Sequence, residues 1–490
     1  MWGRCLVQHG ATVAGLSMLT GLQLVERELL LFALFWFIIG MVDELAVDAV
    51  WGWLRLTGRI ATRQLAPAPS PPALLGGWAV FIPAWHEAEV IAATVTHMLR
   101  VWPQAECRLY VGCYRNDRAT IAAAMAGAMG DPRLRVVIHD RDGPTTKADC
   151  LNRLYAALVA DEQRLGRRFR GVAMHDAEDM VHPLGLVVID RAIDDADFVQ
   201  LPVRPEPLPS APWVAGHYCD EFAESHAKAM VVRDSLGAGL PGAGVGCGLS
   251  RAMLDYLALV RRDEGAAGPF AAECLTEDYE LGLLVARGGG RSRFLRLRDA
   301  DGRLIATRSL FPATLHEAVR QKTRWIHGIA LQEWDRLGWS RHPVEVWMSL
   351  RDRRGPLIAL VLAAAYALMV VEVVLAAGQW LGWPGWESPA AHSPLIVALG
   401  TISLAGLCWR ALARAVFCGH EYGWREGLRA IVRIPLANVV AIMAGRRAFF
   451  AYVRSLWSGV VVWDKTAHRL HPAALHVSDG APLPASRATA

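Results

Sequence analysis

Three carboxylates follow a short apolar run near the middle of the chain. Residues 172–174 have the composition of a buried strand, and Asp176, Glu178 and Asp179 come directly after it. Ligands of open α/β sheets bind beyond the carboxyl ends of the strands, and crowded carboxylates raise each other's pKa unless a cation lies among them. Mg²⁺ or Mn²⁺ takes one or two carboxylates together with substrate phosphates. A solvated acidic loop explains this stretch equally well when it is considered alone.

Polar side chains also mark two other places where a ligand could bind. Asp117 follows the predicted strand 109–113, where it could accept hydrogen bonds from a base or ribose, or cap a helix. Lys147 opens a predicted helix, and a helix N-terminus carrying a lysine suits a phosphate, although a solvated helix start looks the same. The turn at 83–87, which ends in Glu87, lacks the Gly-x-Gly-x-x-Gly pattern of dinucleotide folds. P-loop and Gly-x-Ser-x-Gly motifs are absent as well.

Two helices carry the remaining candidates for chemistry. Thr276 could cap a helix whose first turn holds Glu277 and Asp278, where the helix dipole favours acids. One of these acids could instead be a general base aimed at an acceptor hydroxyl. Arg324 and Trp325 lie on a predicted amphipathic helix, 314–334, and could hold a diphosphate and stack on a sugar. An arginine and tryptophan belt beside a membrane is the alternative.

Short apolar segments alternate with helical ones through the middle of the chain, which predicts the elements that position these residues. The predicted strands are 79–82, 109–113, 134–138, 172–174 and 198–201, with helices such as 87–100 and 147–164 between them. This alternation indicates an α/β domain with a mainly parallel sheet covered on both faces.

The composition indicates a membrane protein. The 490 residues are 53% hydrophobic, and the mean hydropathy of +0.24 exceeds that of ordinary soluble enzymes. Basic and acidic residues nearly balance, 51 against 47, so nucleic acid is not expected as a partner. The nine cysteines are scattered without a Cys-x-x-Cys pair, which argues against a disulfide framework and structural zinc.

Apolar runs and arginine positions predict the domain organisation. Basic residues flank the cytoplasmic ends of membrane spans, whereas the connection at 381–393 contains no lysine or arginine, so we expect it outside and the middle domain in the cytoplasm. The predicted N-terminal segment, 1–65, contains a span at 29–53 and is followed by a cytoplasmic domain, 66–345. The region 346–420 contains two further spans, at 356–380 and 394–418. The region 421–475 contains an interfacial helix at 431–444 and a cytoplasmic closing segment, and the tail 476–490 is predicted to be disordered.

Taken in order, these motifs resemble those of the family-2 membrane glycosyltransferases, the inverting enzymes similar to cellulose and hyaluronan synthases. The matching positions are 83–87, Asp117, 147–152, 176–178, 276–278 and the Gln-x-x-Arg-Trp set 321–325. Within that family the chain looks most like the bacteriophage-adsorption protein B type, on residues 143–145, 147–152, 175–179, 220–224 and 463–468. The resemblance implies a type A glycosyltransferase domain flanked by transmembrane helices.

The resemblance also implies a role for each site residue, with a nucleotide-sugar as donor, most simply a UDP-sugar, and Mg²⁺ or Mn²⁺ as cofactor. Asp278 would be the base, with Glu277 beside it, and Arg324 would stabilise the departing diphosphate. The nucleotide-sugar would contact Glu87, Asp117, Lys147, Asp176, Gln321, Lys465 and His468; the acceptor would contact Gln200, Gly244, Gly246 and Trp325; the metal would be held by Asp176, Glu178 and Asp179.

Three functions remain open from the sequence. The first is a bacterial inner-membrane transferase that elongates an envelope polysaccharide, either alone or together with an outer-membrane export partner. The second is a transferase of the same fold that adds a single sugar to a lipid carrier. The third is a non-catalytic scaffold of an export or phage-adsorption complex. The motif at 176–178 has Glu178 in place of a second aspartate, and the three predicted spans are fewer than the synthases use for their polymer channel.

Overall fold

The computed structural model describes residues 2–67, 72–263, 265–388, 393–458 and 470–473, with side chains from residue 18 onward. The strands are β1 (Arg63–Gln64), β2 (Trp78–Pro83), β3 (Cys107–Tyr114), β4 (Leu134–His139), β5 (Gly171–Met174), β6 (Phe198–Gln200), β7 (Val203–Pro205), β8 (Cys247–Ser250), β9 (Ser292–Phe294), β10 (Leu297–Arg298) and β11 (Thr307–Ser309). The helices are α1 (Trp2–Leu56), α2 (Ile91–Val101), α3 (Arg118–Ala128), α4 (Lys147–Leu165), α5 (Gly185–Ala192), α6 (Val214–Glu224), α7 (Met230–Ser235), α8 (Arg251–Asp263), α9 (Glu277–Arg287), α10 (Leu315–Trp325), α11 (Glu333–Arg336), α12 (Pro343–Arg353), α13 (Gly355–Trp380), α14 (Pro394–Tyr422) and α15 (Trp424–Ser458). Two π-helical segments, Ser225–Ala229 and Ile326–Gln332, join α6 to α7 and α10 to α11.

A seven-stranded sheet forms the centre of the domain, in the order β4-β3-β2-β5-β8-β6-β9. All its neighbours pair in parallel except β8, which runs antiparallel to both β5 and β6. The five predicted strands all exist, with bounds shifted by at most two residues, because each is a short apolar run. The antiparallel β8 was not predicted, since its small-residue sequence looks like a loop.

Hydrophobic layers cover both faces of this sheet. One layer contains Trp78, Ile82 and Trp102 with α2 and α5, and the other contains Phe81, Phe198 and Phe270 with α4 and α8. This two-sided burial explains why the strands are apolar throughout instead of alternating. It also brings the carboxyl ends of β2, β3, β5 and β6 to one edge, where the predicted site residues follow.

The helix predicted over 314–334 differs from the structure. It is α-helical only as far as Trp325 and then continues as the π-helical segment Ile326–Gln332. Such insertions into α-helices often occur at functional sites. Here a methyl group on Gly328 would overlap Thr276, so the π-helical segment packs closely against the start of α9.

Four of the described helices are long and apolar enough to cross a membrane, judged by length and composition: Met18–Leu56, Gly355–Trp380, Pro394–Tyr422 and Trp424–Trp457. The first three contain the predicted spans. The fourth is the 35-residue α15, so the helix predicted at 431–444 extends further in both directions, and its interfacial position stays a prediction. Pro435 lies inside this helix without ending it.

The acids of α1 contact protein side chains. Asp43 accepts hydrogen bonds from Trp347 Nε1 and Arg354, and Glu44 pairs with Arg351 and Arg354. Since an unpaired charge in a span is costly, these contacts with α12 and the start of α13 explain how α1 accommodates them.

Candidate active site

A lysine surrounded by acids lies at the carboxyl edge of the sheet. Lys147 begins α4, and its Nζ lies 2.6 Å from Oδ1 of Asp176, which follows β5. Burial lowers the pKa of Lys147, but the carboxylates of Asp176, Glu277 and Asp278 outweigh it and raise the pKa well above the usual range. The predicted helix start therefore holds its lysine as a charged partner for three acids.

The two acids that begin α9 face the same lysine. Burial raises the pKa of Glu277 to about 7, and the neighbouring Asp278 adds to this while Lys147 opposes it. Burial also raises the pKa of Asp278, again against the field of Lys147. A carboxylate with a raised pKa accepts a proton more readily near neutral pH, as a general base must.

The start of α9 is positioned by contacts other than the predicted cap. Thr276 occupies the N-cap position, but its side chain makes no capping hydrogen bond. Instead, the Leu275 amide donates to Oε1 of Gln332 in the π-helical segment. The Tyr279 hydroxyl donates to Asp352 of α12 at 2.8 Å, and Arg233 pairs with the same carboxylate. The catalytic candidates thus depend on elements beside the candidate membrane-spanning helices.

Two cavities meet at this cluster. The smaller, about 130 Å³, is lined by Trp85, Glu87 and Tyr114. The larger, about 840 Å³, extends past Gln200 and Phe222 to Met348, Arg351 and Arg354. The residues that line both are Lys147, Asp176, Glu178, Thr276, Asp278, Gln321, Arg324 and Trp325. Five of the ten predicted catalytic and nucleotide-side residues therefore line both cavities.

Asp117 lies next to the smaller cavity without lining it. Its carboxylate accepts hydrogen bonds from the amides of His86, at 2.6 Å, and Thr120, at 3.2 Å. Burial raises the pKa of Asp117, but hydrogen bonds from Thr120 and His86 outweigh it and lower the pKa below its usual value. His86 has a φ of 55°, a left-handed conformation that this hydrogen bond helps to hold. The observed role of Asp117 is to cap α3 and fix the turn behind Trp85, and its contact with a nucleotide stays a prediction.

Two of the four predicted acceptor residues, Gly244 and Gly246, lie in the loop beside Asp278, and a third, Gln200, holds that loop. Gln200 is buried; its Oε1 accepts from the Ala243 amide and its Nε2 donates to the Val245 carbonyl, so it holds this loop. Gly244 has a φ of +75°, and a methyl group there would overlap Asp278 Oδ2 and lie 3.0 Å from Lys147 Nζ. Gly246 has a φ of +61°, and a methyl group there would overlap the Thr307 hydroxyl oxygen. Direct contact of these residues with an acceptor stays a prediction.

The Gln-x-x-Arg-Trp set on α10 closes the junction from the other side. Trp325 packs edge-on against Tyr218, with ring centroids 6.1 Å apart, and near Phe222. Arg324 lines both cavities and acts electrostatically on Glu277 and Asp278. An arginine in this position can interact with a diphosphate that enters from the smaller cavity.

The three acids after β5 do not share one environment. Asp176 is one-third exposed, and Glu178 lines both cavities. Asp179 is fully buried and lines neither: Ser309 and the Asp176 amide donate to its carboxylate, and His175 Nδ1 lies 3.1 Å away. Its predicted role as a metal ligand does not agree with this geometry, because its oxygens are engaged in holding the turn.

Asp176 and Glu178 still fit a divalent cation, since Mg²⁺ is usually held by one or two carboxylates plus substrate phosphates. Within the described residues, one group of three possible ligands lies within mutual ligand distance: Cys274, Glu280 and Glu333. This group is buried outside the junction, and Arg336 and Arg261 pair with Glu280. The charge of Glu280 is therefore already compensated.

Some site residues were missed from sequence, and others fall outside the described residues. Trp85 and Tyr114 line the smaller cavity, and their positions directly after β2 and at the end of β3 could have signalled this. Asp352 lies near the start of α13, and no local pattern connects it with Tyr279. The predicted closing segment 463–468, with Lys465 and His468, lies outside the described residues.

The fold and site define a class of protein. A family model described as "Glycosyltransferase like family 2" matches residues 76–328, more than half of the chain. The chain therefore belongs to the family-2 glycosyltransferases, and the predicted resemblance is confirmed. Its domain has the Rossmann-like type A glycosyltransferase fold with a mostly parallel sheet, as predicted.

Two curated relatives cover most of the chain. Bacteriophage adsorption protein B of Escherichia coli K12 and bacteriophage N4 adsorption protein B of Escherichia coli O157:H7 are each 30% identical over 459 residues, 89% of this chain. The chain spans 61% of the length of these relatives.

Solved structures resemble the chain more distantly. A mannosyltransferase from Pyrobaculum calidifontis, in complex with GDP-Man and Mn²⁺, is 15% identical with a TM-score of 0.48, covering 88% of this chain and 99% of its own. Glucosyl-3-phosphoglycerate synthase from Mycobacterium tuberculosis, in complex with Mn²⁺, UDP and phosphoglyceric acid, is 19% identical with a TM-score of 0.31, covering 50% of this chain and 73% of its own.

Proposed function

We propose that this protein is a bacterial inner-membrane, inverting hexosyltransferase that transfers a sugar from a UDP-sugar to a growing envelope polysaccharide. The observation that carries the proposal is the position of Asp278. Its carboxylate lies where the two cavities meet, beside Lys147 and Asp176. A base at such a junction can contact an acceptor from one cavity and the anomeric carbon of a donor from the other.

In this mechanism Asp278 removes the proton of an acceptor hydroxyl as the oxygen attacks the anomeric carbon. The bond from that carbon to the diphosphate breaks on the opposite face, so the sugar configuration inverts and UDP leaves. Arg324 stabilises the charge that develops on the diphosphate. Asp176 and Glu178 would hold Mg²⁺ or Mn²⁺, which when bound supplies further positive charge to the diphosphate.

The remaining residues orient the two substrates. Trp85 and Tyr114 offer aromatic surfaces on which the uracil of the donor could stack in the smaller cavity. Trp325 and the loop held by Gln200 bound the acceptor side. Lys147 pairs with Asp176 and partly offsets the effect of burial on the pKa of Asp278. Gln321 lines both cavities and could bind either substrate.

UDP release from purified protein in nanodiscs tests this function. With a panel of UDP-sugars and Mg²⁺ or Mn²⁺, we expect turnover that EDTA abolishes and that falls at least 10²-fold in Asp278→Asn and Asp176→Asn. The control is Asp301→Asn, whose carboxylate is exposed and pairs only loosely with Arg303, at 3.6 Å. Turnover that is unchanged in Asp278→Asn would overturn the assignment of the base, and release of another nucleotide alone would overturn the uridine specificity.

A lipid-linked acceptor is the second candidate function. The larger cavity reaches Met348, Arg351 and Arg354, where α12 leads into the apolar helix α13. A substrate anchored in the bilayer could enter by that route. Product length separates the two candidates, because a lipid-carrier transferase stops after one sugar whereas a polymerase gives a ladder. Absence of both turnover and UDP binding would instead favour a scaffold.

A further inference from the structure

A cavity larger than the two at the sugar-transfer junction lies away from that junction. It has a volume of about 1760 Å³ and is bounded by α1, α14 and the segment around β9 and β10. One wall is apolar and consists of Trp51, Leu54, Trp409, Leu412, Val416 and Phe417. Leu412 and Val416 are 55% and 58% exposed, and the helices α1 and α14 are both apolar enough to cross a membrane.

The charged part of the lining of this cavity is strongly basic. Eight arginine or lysine residues line the cavity, against two aspartates. Arg55 and Arg59 come from the end of α1, whereas Arg291, Arg293 and Arg296 come from the sheet edge. Lys228 is neutralised by Asp48 and Glu224, so the remaining positive charge comes from arginines.

Arg296 has a donor that the described residues leave unsatisfied. Its side chain is nine-tenths buried; it pairs with Glu421 and donates to Thr62 Oγ1 at 2.7 Å, but its buried Nε has no partner among the described residues. Burial lowers the pKa of Arg296, and nearby Arg298 and Arg55 lower it further while Glu421 opposes them. One glutamate does not balance this group of guanidinium ions, so an anion would stabilise them.

We propose that this cavity binds the phosphate headgroup of an anionic phospholipid, whose acyl chains lie along the exposed apolar face of α14. Basic pockets beside the cytoplasmic ends of membrane helices recognise acidic headgroups, and tryptophans such as Trp51 and Trp409 are typical of that depth. The apolar wall favours a lipid over free phosphate, because free phosphate would leave Leu412 and Val416 in water. The binding does not depend on the identity of the sugar donor.

Lipid binding to the full chain tests the proposal without any transferase assay. Native mass spectrometry of delipidated protein would be titrated with phosphatidylglycerol, phosphatidylcholine and inorganic phosphate. The main variant is Arg55→Gln with Arg291→Gln; both side chains are exposed, and neither forms an ion pair with another described residue. We expect it to bind phosphatidylglycerol about thirtyfold more weakly than wild type, because each arginine contributes about fivefold.

Arg167→Gln with Arg262→Gln is the matched control, since it removes the same charge from exposed positions outside the cavity and should bind as wild type does. Val416→Asp is a second variant, which changes the apolar wall and leaves the arginines in place, and it should also weaken binding. Equal affinity for phosphatidylcholine, unchanged binding in the main variant, or displacement by an equal concentration of inorganic phosphate would each overturn the proposal.

Discussion

At the scale of single residues, Asp176, Glu178 and Asp179 show what sequence reasoning could and could not resolve. Their position after a buried strand predicted a carboxylate cluster at the sheet edge, and Asp176 and Glu178 do line the junction. Asp179 differs because it accepts a hydrogen bond from Ser309, 130 residues further along the chain. A contact at that separation depends on the tertiary fold, so no local pattern could assign it.

Gly244 gives the sharpest prediction about a single residue. In Gly244→Ala the added methyl group would displace the Asp278 carboxylate from Lys147, so we expect sugar transfer to fall at least 10²-fold. The strain of a positive φ in alanine would add a cost of about 1 kcal/mol to folding. UDP release would measure the first effect, and the thermal unfolding midpoint the second.

Gly289→Ala separates strain from displacement. Gly289 has a φ of +79°, similar to that of Gly244, but nothing lies within 4 Å of an added methyl group. This variant should lose comparable stability and keep its activity. Equal losses of activity in both alanine variants would show that strain, and not the contact with Asp278, accounts for the effect.

At the scale of elements, the sequence predicted helices and strands better than it predicted how they attach to each other. The sequence pointed to the segment 220–224 only because it resembles the bacteriophage-adsorption protein B type. In the structure its acids connect the transferase domain to the membrane-side helices. Asp220 forms a buried, bidentate ion pair with Arg433 of α15. Glu224 forms ion pairs with Lys228 and Arg410. The pairs with Arg433 and Arg410 join positions 213 and 186 residues apart, and such pairs leave no periodic signal in a sequence.

Breaking the pair between α6 and α15 should destabilise the protein. Asp220 and Arg433 are each 1% exposed, so Asp220→Ala leaves a buried guanidinium with Glu426 as its remaining acid. We expect a loss of about 3 kcal/mol, seen as a lower thermal unfolding midpoint in detergent.

Two comparisons make that expectation specific. The double variant Asp220→Leu with Arg433→Met should recover most of the loss, because it removes both charges and fills the space. Asp301→Asn, at an exposed and loosely paired site, should leave the midpoint unchanged. A midpoint for Asp220→Ala equal to that of wild type would show that the pair does not secure α15.

At the scale of the whole molecule, the position of α15 decides how many times the chain crosses the membrane. Its composition permits a fourth span, but two of its contacts do not favour one. Arg433 near its beginning contacts Asp220, and Tyr452 near its end donates to Asp335 at 2.8 Å. The two contacts are separated by about 28 Å of helix, nearly the thickness of the hydrocarbon core, and both are made to the transferase domain.

A helix that holds one domain near both ends cannot place those ends on opposite sides of a bilayer. We therefore predict that α15 lies along the cytoplasmic surface, with its apolar face in the interface. Single cysteines at the exposed positions Glu387 and Arg454 test this with a membrane-impermeant maleimide in intact spheroplasts, with wild type as the blank. Glu387→Cys should label from outside, and Arg454→Cys only after permeabilisation. Labelling of Arg454→Cys in intact spheroplasts would establish a fourth crossing, and protection of Glu387→Cys would reverse the predicted orientation.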